Sequence, residues 1–259
     1  MELSLYQIDA FTSELFKGNP AAVCPLDKWL PDEIMQSIAA ENNLSETAFF
    51  IPKDNGFHIR WFTPTCEVDL CGHATLATAF VIFNILDYDK DIIKFDSKSG
   101  LLKVIKDDDN LILNFPARTP IPCDTPLEII NALNITPIEC LKSEDFIIVL
   151  NDESDVQIVE PNFEELRKIG LRGVIITAQS KKYDFVARCF FPGLGINEDP
   201  VTGSAYTQLA PYWATKLGKD LFNAKQLSAR GGELICELYK DRVLISGKAV
   251  KYMEGKIKV

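Results

Sequence analysis

The stretch RWFTPTCEVDLCGHA (Arg60–Ala74) returns 128 residues later as RCFFPGLGINEDPVTGSA (Arg188–Ala205). Both read Arg-x-Phe-x-Pro, then a polar loop, then Gly-(His or Ser)-Ala. A second pair follows in the same order, SGLLKVIKDDDNLILNF (Ser99–Phe115) and GGELICELYKDRVLISG (Gly231–Gly247), 132 residues apart. In each of these a glycine opens an apolar-rich run, a polar turn follows and a second apolar run closes, which is the pattern of a β-hairpin. Two motifs in one order at similar offsets indicate duplication, so the chain is read as two homologous halves.

Each half carries one apolar helix after its Arg-x-Phe-x-Pro motif. The first, GHATLATAFVIFNIL (Gly72–Leu86), is apolar on every side and belongs in the middle of its half with sheet wrapped about it. The second, GSAYTQLAPYWATKLG (Gly203–Gly218), is less pure, and Pro211 inside it predicts a kink or a break. A third, amphipathic helix is expected over Pro31–Glu41, with Asp32 and Glu33 complementing its N-terminal dipole. Shorter surface helices are expected at Thr125–Asn134 and Asn162–Ile169. Strands are expected at Leu3–Phe11, Thr47–Ile51, His58–Phe62, Phe146–Leu150, Gly173–Ala178 and Phe185–Phe190. Strands, then helix, then hairpin in each half argue for an α+β fold rather than alternating βαβ units. The Pro-rich FPARTPIPCDTP (Phe115–Pro126) marks the boundary. The halves are taken as 1–117 and 118–247, with 248–259 returning to complete the first half's sheet.

The 259 residues are 47% hydrophobic and 25% charged, an ordinary balance for a chain that buries a core. The formal net charge of −10 and a pI near 4.8 argue against a phosphate-tracking surface, so nucleic acid is not an expected partner. The longest apolar run falls short of the roughly 20 residues needed to span a bilayer, and no segment has the order of a signal peptide. Seven cysteines without a repeating spacing fit a reducing cytoplasm. Cys66, Cys71 and His73 lack zinc-finger spacing, so no metal is expected. GLGINE (Gly193–Glu198) has only the first two glycines of a dinucleotide loop, and no cofactor is expected.

Chemistry centres on the two helix starts. A helix N-terminus offers unpaired backbone N–H groups and partial positive charge, and Gly72, Gly203 and Ser204 are small enough to let a ligand approach. His73 beside such an end is expected to be neutral. Asp199, in the loop before the second helix, reads as a helix cap or as a substrate contact. Glu46, in ENNLSETAFF, reads either as an exposed polar residue entering a strand or as a general base partly buried between apolar elements. FTSELFKGNPAAV (Phe11–Val23), closed by Gly18-Asn19-Pro20, is a plain turn or a loop that meets a ligand.

IDAFTSELFKGNPAAV, NLSETAFF, IRWFTPTCEVDLCGHATLATA and INEDPVTGSA together resemble the PhzF-like, phenazine-biosynthesis-type family of isomerases, through nearly the whole chain. The resemblance implies the diaminopimelate-epimerase-like fold: two pseudo-symmetric halves, each a barrel-like mixed sheet around a central apolar helix, with the active site in the cleft between them. It implies Glu46 as the proton-shuttling carboxylate. It further implies substrate contacts at Asn19, Ser45, Gly72, His73, Asp199, Gly203 and Ser204. A cofactor-independent isomerase acting on a small carboxylic acid is therefore expected, as a cytoplasmic homodimer. Two alternatives stand beside it: a non-catalytic ligand-binding or protein-interaction module on the same fold, and a thiol-dependent racemase or epimerase using Cys71.

Overall fold

The computed structural model describes residues 1–259. In chain order the elements begin β1 (Glu2–Ala10), β2 (Asn19–Pro25), α1 (Asp32–Asn42), β3 (Glu46–Lys53), β4 (Gly56–Phe62), β5 (Glu67–Val68) and α2 (Gly72–Asn84). They continue as β6 (Ile92–Ser97), β7 (Gly100–Asp107), β8 (Asn110–Pro116), β9 (Ile121–Pro122), α3 (Leu127–Leu133), β10 (Glu139–Lys142), β11 (Phe146–Val149), α4 (Glu153–Ile158) and α5 (Phe163–Leu166). The chain closes with β12 (Val174–Gln179), β13 (Phe185–Phe191), β14 (Ile196–Asp199), α6 (Gly203–Leu217), β15 (Leu221–Gln226), β16 (Gly232–Tyr239), β17 (Arg242–Gly247) and β18 (Ala249–Lys258). Two units separate: Met1–Asn114 with Ser246–Val259, and Phe115–Ile245.

Within the first unit β1 pairs antiparallel with β18 and with β2. From β2 the ladder steps parallel to β3, antiparallel to β4, parallel to β6 and antiparallel to β7. Within the second unit β10 pairs antiparallel with β11, and the ladder then steps parallel to β12, antiparallel to β13, parallel to β15 and antiparallel to β16. The sequence of orientations is the same in both. In each unit a short strand, β5 or β14, folds back on its predecessor just before the long apolar helix. Duplication is thus visible in the topology, and the fold is the expected α+β mixed sheet with few helices.

The paired arginines of the repeat do the same work in each unit. Arg60 donates through Nε and Nη2 to the two Glu67 carboxylate oxygens at 2.7 and 2.8 Å and lies over the Phe62 ring at 5.1 Å. Arg188 reaches Glu198 at 2.7 and 3.1 Å and lies over the Phe190 ring, also at 5.1 Å. A planar guanidinium makes such a two-point grip on a carboxylate while stacking on an aromatic face. Each glutamate stands five residues before a helix-opening glycine, so each grip fixes the loop that delivers a helix start.

Ten of the thirteen α2 residues are buried, and α2 packs against β1, β2, β3, β7 and β18. Burial of each such Leu, Ile, Val or Phe contributes about 1.5–3 kcal/mol, which is why an all-apolar helix settles inside sheet. In the second unit Trp213 of α6 stacks on Phe185 of β13 and donates to Thr177 Oγ1 of β12 at 3.1 Å. The break expected at Pro211 does not occur: α6 runs on to Leu217. Proline removes the N–H that would bond the carbonyl four residues back, at Thr207. The Arg118 N–H takes that carbonyl instead, at 2.9 Å, so no acceptor is stranded.

Candidate active site

Three short-range constraints deliver the polar residues of the first unit. The chain leaves β1 through an exposed loop and re-enters at Gly18, whose φ is +66° and where a Cβ would meet the Ala10 carbonyl at 2.1 Å. Only glycine closes the turn there. Asp9, buried in β1, accepts the Phe16 N–H at 3.0 Å and holds the loop from within. Asn19 then opens β2, fully buried. Glu46 opens the adjacent parallel strand β3 opposite Ala21, and Ser45 precedes it, half-buried. Gly72 and His73 start α2.

These residues converge on the His73 imidazole. Nε2 lies 3.2 Å from Glu46 Oε2, and Nδ1 lies 3.3 Å from Asn19 Nδ2 and 3.5 Å from Cys71 Sγ. His73 is 6% exposed and Glu46 9%. Burial pushes the His73 pKa down to about 3, so the ring is neutral at physiological pH. The Asn19 amide nitrogen can only donate, which makes Nδ1 the acceptor and leaves the single ring proton on Nε2, the nitrogen 3.2 Å from Glu46 Oε2.

Glu46, Cys71 and His73 offer ligand atoms within 4.8 Å of one another, and through-space proximity rather than sequence spacing brings them together. A carboxylate, an imidazole and a thiol this close form a donor set of the kind that takes a cation, which their spacing in the sequence does not show.

In the second unit Asp199 ends β14, buried, and accepts the Thr202 hydroxyl at 2.6 Å. Gln226, fully buried in β15, staples this turn. It donates to the Asp199 carbonyl at 2.7 Å and accepts the Thr202 N–H at 2.9 Å. Gly203 and Ser204 follow as the start of α6. Ser204 Oγ accepts from Arg172 Nη1 at 3.1 Å, and the same guanidinium grips the fully buried Asp145 with Nε at 2.8 Å and with Nη2. Burial opposes the Arg172 charge, but the Asp145 carboxylate outweighs it and holds the guanidinium more firmly protonated. Gln208, one turn along α6, donates to Asp145 at 2.7 Å.

Asp145, Arg172, Gln208 and Gln226 were not singled out by sequence. Yet the repeat locates the first two: Asp145 stands just before β11, Arg172 just before β12, and Ser204 is the second residue of α6. Asn19, Glu46 and His73 hold the corresponding places beside β2, β3 and α2. Each unit therefore builds a polar group at the same topological point, acidic Glu46 with imidazole in one and guanidinium with hydroxyl in the other. Neither long helix has a side-chain cap, whereas the surface helices α4 and α5 are capped by Asp152 and Asn162.

Residues 8–255 match the family described as Phenazine biosynthesis-like protein, PhzC-PhzF. A Pseudomonas aeruginosa protein named as an isomerase is 52% identical over 98% of both chains. A crystal structure of a PhzF-family phenazine biosynthesis protein from Enterococcus faecalis superposes with a TM-score of 0.98 at 46% identity, covering 100% of both chains. A hydroxyproline epimerase from Agrobacterium vitis, only 9% identical, shares the fold with a TM-score of 0.64 over 99% of this chain and 92% of its own. The chain belongs to the phenazine biosynthesis-like, PhzC-PhzF family and is an isomerase of the epimerase-like fold.

Proposed function

We propose that the protein is a cofactor-independent isomerase that moves a proton on a small carboxylic acid, with Glu46 as general base and acid. The observation that carries this reading is the 3.2 Å approach of Glu46 Oε2 to Nε2 of a buried, neutral His73. A carboxylate held at the start of a strand, away from bulk water, is suited to take a proton from a carbon activated by a carbonyl, alkene or enamine and to return it at another position. A neutral His73 sets Nε2 beside that carboxylate without placing a full positive charge there. Asn19 and Cys71 hold the ring's other edge.

Asp199, oriented by Thr202, contacts a polar substituent of the substrate. Ser204, oriented by Arg172, contacts another. The uncapped starts of α2 and α6, at Gly72 and Gly203, receive anionic oxygen, and Ser45 lines the approach to Glu46. The enzyme works as a cytoplasmic homodimer on a free small molecule; its seven free cysteines suit a reducing compartment. No helix is long and apolar enough to cross a membrane.

Wild type and Glu46→Gln, incubated in deuterium oxide with a panel of small cyclic and acyclic amino and hydroxy acids and followed by NMR, test the reading. Deuterium incorporation by wild type alone is expected. Incorporation at the native rate by the variant removes Glu46 from the role. Tight binding of a panel compound without exchange in wild type turns the reading toward a binding module.

One contact favours a second reading, the 3.5 Å approach of Cys71 Sγ to His73 Nδ1. A thiol mechanism needs a partner thiol, and the cysteine in register with Asp199 is Cys189, fully buried. Burial drives the Cys189 thiol well above its ordinary range, which makes it a poor acid–base group. Cys71→Ser is therefore expected to keep most of the exchange activity; complete loss with an intact fold would restore the thiol reading.

A further inference from the structure

Cys123 and Cys140 lie away from the polar clusters described above, at the start of the second unit. The antiparallel register that sets Ile121 opposite Lys142 and Pro122 opposite Leu141 continues to set Cys123 opposite Cys140. The Cys123 N–H donates to the Cys140 carbonyl at 3.0 Å, and the two Sγ atoms are 3.5 Å apart. Opposed residues that share a backbone hydrogen bond in this way have Cα atoms about 5.5 Å apart. A disulfide favours a span of about 5.5–6 Å. Bringing the sulfurs from 3.5 Å to bonding distance therefore takes a combined movement of about 1.5 Å, which rotation of the two side chains can supply.

The two thiols differ in access. Cys140 is 7% exposed, packed in the core with Ile129, Leu133 and Ile148, while Cys123 is half-buried at its edge. Burial, with the neighbouring Cys123 thiol, pushes Cys140 up to about 12. The outer thiol is the one a small oxidant meets first; the inner sulfur lies 3.5 Å from it, and its raised pKa slows its attack without moving it out of reach.

We propose that Cys123 and Cys140 form a reversible redox modification site, oxidised to a disulfide by hydrogen peroxide. The Cys123 thiolate attacks peroxide, giving a sulfenic acid and hydroxide. Cys140 sulfur then attacks that sulfenic sulfur, its proton leaving with the hydroxyl group as water. The net change is two thiols and one peroxide to one disulfide and two waters, and a dithiol reductant reverses it. The new bond closes the segment 123–140 over α3 and ties β9 to β10, clamping the chain where it enters the second unit.

The test uses the intact protein, treated with hydrogen peroxide, denatured in an alkylating reagent, digested with trypsin and weighed. Both cysteines fall in one tryptic fragment, 119–142. The expected product is that fragment lighter by two hydrogen atoms and carrying no alkyl group, restored to double alkylation by prior dithiothreitol. Cys66→Ser, which removes the exposed thiol, should leave the result unchanged. In Cys123→Ser, Cys140 should remain alkylatable after peroxide. Double alkylation of the wild-type fragment after peroxide, sulfinic or sulfonic Cys123 beside an alkylated Cys140, or a bond from either residue to a different cysteine would each overturn the proposal.

Discussion

Lowering the pH from 7.5 to 5 is a direct test of the environment ascribed to His73. An ordinary imidazole, pKa about 6.5, is about 97% charged at pH 5. One held at about 3 by burial is about 1% charged. The unfolded chain takes the proton that the folded chain refuses, so His73 leaves stability undiminished above pH 6.5. Stability then falls as the pH drops from 6.5 toward 3. At pH 5 the loss works out at about 2 kcal/mol. Urea unfolding of wild type and His73→Gln at both pH values isolates this residue, because other titrating groups are common to the two proteins. Wild type should lose about 2 kcal/mol more than the variant between pH 7.5 and 5. With only two histidines in the chain, proton–nitrogen correlation spectra should also show one ring, absent in the variant, as the neutral Nε2–H tautomer at pH 5. Equal losses in the two proteins, or a His73 ring that becomes charged near pH 6.5, would refute the argument.

Two further substitutions probe the second unit. Asp145→Asn leaves Arg172 only the looser Glu144 carboxylate at 3.9 Å; since that guanidinium is also 30% exposed, the cost should sit near about 3 kcal/mol, the low end for a broken buried pair, read by urea unfolding. Thr202→Val keeps shape but removes the hydroxyl that Asp199 accepts at 2.6 Å. It should lower turnover about tenfold, the kinetic equivalent of one net hydrogen bond, with the fold unchanged by circular dichroism.

The duplication was legible because its markers are chemically loud. Arg-x-Phe-x-Pro and a later glutamate recur because each unit needs one guanidinium to stack on a phenylalanine and grip a carboxylate, as Arg60 and Arg188 do. The apolar helices and the hairpins were readable from local pattern for the same reason. Pro211 misled because the partner that rescues its helix, the Arg118 N–H, lies 89 residues upstream of Thr207. The strand β2 was hidden by its opening Asn-Pro, which reads as turn chemistry, and α4 by its brevity, although Asp152 and Asp155 form a capping box around its start. Local pattern also leaves Glu46 looking like a surface residue at a strand entrance; His73, 27 positions away, accompanies its burial. The Asp145–Arg172–Gln208 network joins residues just before β11, before β12 and within α6, so no local pattern links them and only the repeat marks where the first two fall.

The central claim is that Glu46 carries the proton. Deuterium incorporation into a substrate by wild type and Glu46→Gln, measured side by side by NMR, decides it most directly. The account predicts incorporation at a single carbon position in wild type and a rate lower by about 10²–10⁴-fold in the variant, with unfolding of the two proteins in urea superimposable. Incorporation at the same rate in both would contradict it.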